Sequence, residues 1–236
     1  MNHKEIQVVM FPVKSLASKG AEKLVGAINK FRCEFLLAGG GTLIELSQLP
    51  KIPPFLDVSC LKDIGPAGTN IPVATEDLFK KLFPNFKGTT NMYSMTEFGS
   101  LISYHDSSSK LGNVAPGTEV KIVDPETNEA LGPNQVGEIH AKCDIITPGY
   151  LNRPEEDAKL FSGDGFINTG DLGHYDEEGL LYYDGRNKEL IKSRGLHVHP
   201  VEIEEIIATH PEVKEAAVFG RDDEVRNDFQ SPFQVK

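Results

Sequence analysis

The sequence predicts a chain of α/β and β class in three parts: a layered α/β subdomain, a β-rich, barrel-like subdomain, and part of a small α+β domain. Three observations predict it. Short apolar runs alternate with helical patterns through the first hundred residues. After His105 no long helical pattern appears for about 80 residues. A well-signalled amphipathic helix then opens at Pro200. The expected boundaries are residues 1–104, 105–184 and 185–236.

In the first part, residues 6–11 are strand-like, and residues 21–31 carry Leu24, Val25, Ile28 and Phe31 at helical spacing. Residues 35–38 form a second apolar run. Gly39, Gly40, Gly41 and Thr42 read as a turn, because the spacing of a Gly-rich phosphate loop is absent there and everywhere else in the chain. Residues 43–49 are helical in pattern, 61–64 are a further apolar run, and 65–70 are a Gly/Pro/Asn loop. Pro72 opens a helix with Ala74, Leu78, Phe79 and Leu82 on one face and Glu76/Lys80 and Asp77/Lys81 as i,i+4 pairs. Residues 89–92 follow as a strand. This alternation implies βα units around a mostly parallel sheet.

In the second part, Ser107, Ser108 and Ser109 mark a loop, and residues 119–123, 137–142, 165–168 and 180–183 are short β segments. Asp176-Glu177-Glu178-Gly179 reads as a hairpin turn between residues 172–175 and 180–183. The expectation is a small antiparallel sheet or partial barrel. In the third part, Glu202, Glu204 and Glu205 suit the positive end of the helix that Pro200 opens. Val201, Ile203, Ile206 and Ile207 are its inward face, Pro211 stops it, and residues 213–219 are a strand. The polar remainder is too short to finish a domain.

Composition bounds the function. Of 236 residues, 39% are hydrophobic and 25% charged, which suits a packed core. With 24 Lys+Arg against 35 Asp+Glu the net charge is −11, which argues against nucleic acid. An anionic ligand would then need locally placed cations, backbone N–H groups or Mg²⁺. Cys33, Cys60 and Cys143 form no zinc-type pair and no disulfide framework, as expected of reduced thiols in a cytoplasmic compartment. No apolar run is long enough for a transmembrane segment, and the last three residues are not a peroxisomal tripeptide.

Three constellations carry chemistry. Residues 182–204 place Arg186, Lys188, Lys192 and Arg194 close together, with Gly195 permitting close backbone approach. That is an anion site, or else a solvated basic turn. Thr169-Gly170-Asp171 ends a β segment with a carboxylate that suits paired hydroxyls such as those of a ribose; a turn-capping Asp has the same pattern. Tyr93-Ser94-Met95-Thr96-Glu97-Phe98-Gly99 sets a hydroxyl and a carboxylate after a strand, where open α/β sheets bind ligands. Thr96 could bond a phosphate and Glu97 hold Mg²⁺, or the two could simply start a helix. His197 and His199 alternate around Val198 as on a strand face rather than as metal ligands.

Together with the Pro148-Gly149-Tyr150-Leu151-Asn152 turn, these motifs resemble in order and spacing the adenylate-forming superfamily of acyl-CoA synthetases, 4-coumarate–CoA ligases and beetle luciferases. The resemblance covers essentially the whole chain, and residues 185–204 are its most specific part. It implies an ATP-dependent acid–CoA ligase that adenylates a small-molecule carboxylic acid, hydrophobic or aromatic, and then forms the thioester with coenzyme A. It further implies that Gly68 and Thr69 lie against adenine and Tyr93 stacks on its other face. Thr96 would contact the α-phosphate, Glu97 the Mg²⁺, and Asp171 and Arg186 the ribose hydroxyls. Lys188 would sit at the hinge of a rotating C-terminal domain, with Lys192 and Gly195 on the segment that turns toward the CoA side.

There are departures. The family's phosphate loop lies upstream of residue 1 and its C-terminal lysine beyond Lys236, so the chain reads as truncated at both ends. Ser94 replaces a usual Gly, and Gly65-Pro66-Ala67-Gly68 is an altered adenine-side stretch. A non-catalytic adenylate- or acyl-binding remnant and a partial gene model of a full-length ligase are the alternatives. Within the enzyme class an amino-acid-activating domain is the runner-up, and Pro200-Val201-Glu202-Ile203-Glu204 favours the CoA-ligase branch. A luciferase-type oxidation would use the same adenylation step.

Overall fold

The computed structural model describes residues 8–10, 20–68, 73–105, 111–193, 196–198, 200–208, 210, 213, 216–220 and 234–235. Calls on Thr69, Pro72, Arg194, Gly195, His199 and Pro211 lie outside these residues. The chain forms two units, one of Met1–Tyr93 with Tyr104–Ser109 and one of Ser94–Ser103 with Lys110–Lys236.

The first unit opens with α1 (Gly20–Phe31), β1 (Phe35–Gly39), α2 (Gly40–Ser47), β2 (Asp63–Ala67), α3 (Val73–Leu82) and β3 (Gly88–Thr89). The strands pair in parallel, Phe35 opposite Asp63 and Asp63 opposite Gly88, as alternating strand and helix patterns require. Leu24, Val25 and Ile28 are buried on α1 as their spacing predicts. They meet Leu43 and Leu46 of α2, Ile64 of β2, and Phe79 and Phe83 in one apolar cluster. Phe79 packs edge-on against Phe86 at 5.7 Å between ring centroids.

The first unit corrects three local readings. Gly39 is the N-cap of α2, and Gly40 and Gly41 are its first helical residues rather than a turn. Glycine is tolerated at a helix start, and burial of Leu43 and Leu46 draws the helix back to it. Leu78 is exposed, because the aromatic trio at 79, 83 and 86 occupies the space beneath α3. Glu76 accepts a hydrogen bond from Thr89 Oγ1, and Lys80 pairs with Asp77 at 3.0 Å instead. Residues 8–10, expected in a strand, have no regular structure, and residues 89–92 are split between two strands at Thr90.

The chain enters the second unit within β4 (Asn91–Ser94), makes a 3₁₀ turn at Thr96–Phe98 and continues as β5 (Leu101–His105) and β6 (Asn113–Val114). Then come β7 (Glu119–Val123), β8 (Gly137–Lys142), α4 (Pro154–Leu160), β9 (Ile167–Tyr175) and β10 (Leu181–Arg186). Strands β10-β9-β8-β7 form an antiparallel sheet in that order. Ile122, Ile139 and Ile167 are fully buried on it. The hairpin turn is as expected: Asp176 Oδ1 accepts the N–H groups of Glu178 and Leu180 at 3.0 and 2.9 Å, and Gly179 takes a positive φ of 82°. Residues 165–168 and 172–175 prove to belong to one long strand, β9. Helix α4 was not anticipated, although Pro154 at its start and Glu155, Glu156 and Asp157 in its first turn are helix-start signals.

After a 3₁₀ turn at Asn187–Glu189 come β11 (Ile191–Ser193), β12 (Leu196–Val198), α5 (Pro200–Ala208), β13 (Ala216–Ala217) and β14 (Gln234–Val235). The helix at Pro200 is as predicted, except that Ile206 is exposed, lying about 100° round the helix from half-buried Ile207. Only Ala216 and Ala217 of residues 213–219 are in a strand. No helix among the described residues is long and apolar enough to cross a membrane.

Glu138 ties the sheet to the turn that leaves it. Its carboxylate accepts from Asn168 Nδ2 at 2.8 Å and from Asn187 Nδ2, and His140 Nε2 lies 3.6 Å away. His140, opposed by burial and aided by the two amides, holds Glu138 below the usual glutamate range.

Two outcomes follow from this packing. Phe79→Ala empties the centre of the first unit and should cost about 3–5 kcal/mol in urea unfolding. A depressed carboxylate contributes stability above its unfolded pKa and loses it as pH falls through the folded one. Glu138→Gln should therefore cost about 1 kcal/mol at neutral pH and almost nothing below about pH 3, when unfolding is measured at both.

Candidate functional site

The β9–β10 hairpin is where local sequence irregularity makes a site. From Leu181↔Tyr175 to Tyr183↔Gly173 the ladder is regular; then Gly185 pairs with Leu172 and Arg186 with Asp171. Asp184 is the extra residue of a β-bulge. Side chains alternate between faces along a strand, so Tyr183 and Arg186 would ordinarily point to opposite sides. The bulge puts Arg186 on the face of Tyr183 and directly opposite Asp171. On its other side, β9 bulges against β8: Glu138 pairs with Leu172 and His140 with Asn168, leaving Thr169, Gly170 and Asp171 opposite Ile139.

That second bulge is held by its own side chains. Thr169 Oγ1 donates to the Ile139 carbonyl at 2.8 Å and accepts from the Asp171 N–H at 3.2 Å. Asn168 Oδ1 accepts from the Gly170 N–H at 2.8 Å, and Gly170 has a positive φ of 75°. Gly173 must lack a side chain, because a Cβ there would strike the Tyr182 carbonyl and Ile139.

Asp171 is buried, with its side chain 8% exposed, and pairs with the 60% exposed Arg186 at 3.2 Å between Oδ1 and Nε. A buried carboxylate needs such a partner. The nearby Asp171 charge holds the Arg186 guanidinium above its ordinary pKa, and burial, then Asp171, raises the Tyr183 phenol. Arg186 spends Nε on this pair. A guanidinium carries five N–H donors, so its terminal nitrogens keep capacity for a ligand. The two residues the sequence singled out for one sugar are thus adjacent, on one face.

Thr96 and Glu97 stand in the 3₁₀ turn after β4, Thr96 exposed and Glu97 half-buried. Gly99, with φ of 72°, ends that turn, and the Glu97 carbonyl accepts from the Thr147 N–H at 2.8 Å. Tyr150 Oη donates to Glu97 Oε1 at 2.5 Å, and this bond pushes the Tyr150 phenol up to about 12. The Tyr150 N–H in turn bonds Asp157 Oδ1 of α4 at 2.7 Å. The sequence marked Tyr150 only as part of a turn, and no local pattern ties it to a residue 53 positions away. No cluster of three or more His, Cys, Asp or Glu forms a metal cage among the described residues. A lone carboxylate beside an open hydroxyl instead fits Mg²⁺, which is commonly held by one or two carboxylates together with substrate phosphates.

The other predicted residues are dispersed. Gly68, with φ of 72°, follows β2 and Tyr93 lies in β4, both in the first unit. Lys188 is exposed in the 3₁₀ turn that Asn187 ties to Glu138, and Lys192 belongs to the backbone of β11. Sequence reasoning missed His174 and Asp184, which bond each other at 2.6 Å through Nδ1 and Oδ2. The one available signal was the Asp-Gly step within a β run, a common bulge composition.

Comparison with known proteins agrees with this geometry. The family model of the AMP-binding enzyme matches residues 3–151, and that of the AMP-binding enzyme C-terminal domain matches residues 202–232. A 4-coumarate–CoA ligase of Glycine max is 33% identical over 221 residues, covering 90% of this chain and 75% of the relative. One from Petroselinum crispum is 34% identical over 203 residues, 82% of this chain but 37% of the relative. The structure of O-succinylbenzoate coenzyme A synthetase from Bacillus subtilis, in complex with ATP and magnesium ion, superposes with a TM-score of 0.73 and 26% identity. It covers 89% of this chain and 43% of that one. With the mixed α/β fold and the order of motifs in place, the chain belongs to the AMP-binding enzyme family of adenylate-forming enzymes.

Proposed function

We propose that this chain forms the nucleotide-binding part of an ATP-dependent acid–CoA ligase, which adenylates a carboxylic acid and passes the acyl group to the thiol of coenzyme A. The observation that carries the reading is the Asp171–Arg186 pair, a buried carboxylate and a half-open guanidinium set side by side by two bulges. A carboxylate accepts hydrogen bonds from hydroxyls while the guanidinium donates to them, so a vicinal diol suits the pair. Similarity to 4-coumarate–CoA ligases supports an aromatic or other hydrophobic acid.

In this reading Gly68 and Thr69 lie along adenine, Tyr93 stacks on it, and Thr96 bonds the α-phosphate. Mg²⁺, held by Glu97 and the phosphates, would offset the charge of the phosphate chain. Tyr150 orients Glu97. Lys188 is the pivot about which the C-terminal segment turns, and Lys192 and Gly195 travel with it toward the CoA side. The free thiols of Cys33, Cys60 and Cys143 agree with a reducing, cytoplasmic setting.

Isothermal titration of the 236-residue chain tests the reading. ATP and AMP should bind, and Arg186→Ala should weaken AMP about tenfold or more, as expected when a charged hydrogen-bond donor is removed. Absence of any adenylate binding at millimolar ligand would end the proposal. Binding without ATP–pyrophosphate exchange would identify the chain as a nucleotide-binding module rather than a complete catalyst.

A further inference from the structure

The bulge that brings Arg186 to Asp171 has a side-chain lock of its own. In an unbroken ladder Tyr183↔Gly173 would be followed by Asp184↔Leu172 and Gly185↔Asp171, and Arg186 would face Gly170. It would then stand on the side of the sheet away from Asp171. The bulged residue has no cross-strand partner in the ladder, and a bulge without a fixing contact is one slip from the regular register.

Asp184 supplies that contact. Its Oδ2 lies 2.6 Å from His174 Nδ1 on the neighbouring strand. A carboxylate is acceptor only, so the ring proton sits on Nδ1. The imidazole is itself clamped: it stacks on Tyr182 with centroids 4.8 Å apart and planes 3° from parallel. Tyr182 Oη donates to Asp176 Oδ2 at 3.0 Å, tying the stack to the hairpin turn. His174 and Asp184 are each 24% exposed, so solvent competes only in part for their bond. His174, Tyr182 and Asp184 therefore occupy one face of the hairpin, and Asp171, Tyr183 and Arg186 the other.

We propose that His174 and Asp184 are positioning residues for sugar recognition: their bond holds the bulge that delivers Arg186 to Asp171 on the opposite face of the hairpin. The inference rests on the reading of Asp171 and Arg186 as the ribose site. Neither residue touches the ligand. Loss of their bond frees the ladder to close up, turning Arg186 away and leaving Asp171 without its cation.

The test is discrimination between AMP and 2′,3′-dideoxy-AMP, measured by titration calorimetry on the full chain and two variants. His174→Phe keeps the stack on Tyr182 and removes the bond; Asp184→Ala removes it from the other end. The parent should prefer AMP by about tenfold or more, and each variant should fall to within about twofold, the residual set by base and phosphate contacts alone. A pair that served only stability would lower the melting temperature and leave this ratio unchanged. If the parent discriminates and the folded variants do so equally, the positioning role is overturned and the ribose reading stands. If the parent binds both nucleotides alike, or neither, both fall. Should His174→Phe fail to fold, Asp184→Ala decides alone.

Discussion

A single extra residue in one strand governs the geometry of the site. A β-sheet offers its residues two faces in strict alternation, and a side chain changes face only if the count changes. Asp184 changes the count in β10, and the Thr169–Asp171 bulge changes it in β9. Between them they set a buried carboxylate beside a guanidinium that reaches water. The glycines serve that arrangement: Gly170 takes the positive φ of its bulge, and Gly173 leaves room where three strands meet.

Charge explains why so local a device is needed. The chain carries a net charge of −11, so its overall field opposes an anionic ligand. Recognition of a nucleotide must come from donors at short range. Arg186 is one, and its own carboxylate partner keeps it in place at the cost of one N–H. Glu97 faces the converse demand, since a carboxylate near phosphates needs a cation between them. The Tyr150 hydroxyl on Oε1 and the Asp157 bond to the Tyr150 N–H restrict where the Glu97 side chain can point.

Much of the secondary structure could be read along the chain. The apolar spacing of α1, the Pro-led helix α5, the Asp176 turn and the strands of the second unit all appear where local preference puts them. The errors share a physical origin. Leu78 lost its place in the core to the Phe79–Phe83–Phe86 cluster, and Glu76 left Lys80 for Thr89, because burial and distant partners outweigh pairings worth a few tenths of a kcal/mol, roughly, on a helix surface. Gly39, Gly40 and Gly41 joined a helix for the same reason. For the site, Asp171, Arg186, Thr96 and Glu97 were legible as residue types in a familiar order, whereas Tyr150, His174 and Asp184 had no local mark.

By itself, then, the sequence determined the α/β alternation, the β-rich stretch that follows and the motif set of a nucleotide-binding enzyme, because those depend on period, turn chemistry and short-range spacing. Tertiary structure alone decided that Asp171 faces Arg186, that Tyr150 bonds Glu97, and that Asp184 is held by His174. Register and bulges are set by how strands meet one another, and a one-residue slip leaves every local preference unchanged while reversing which side each later residue faces.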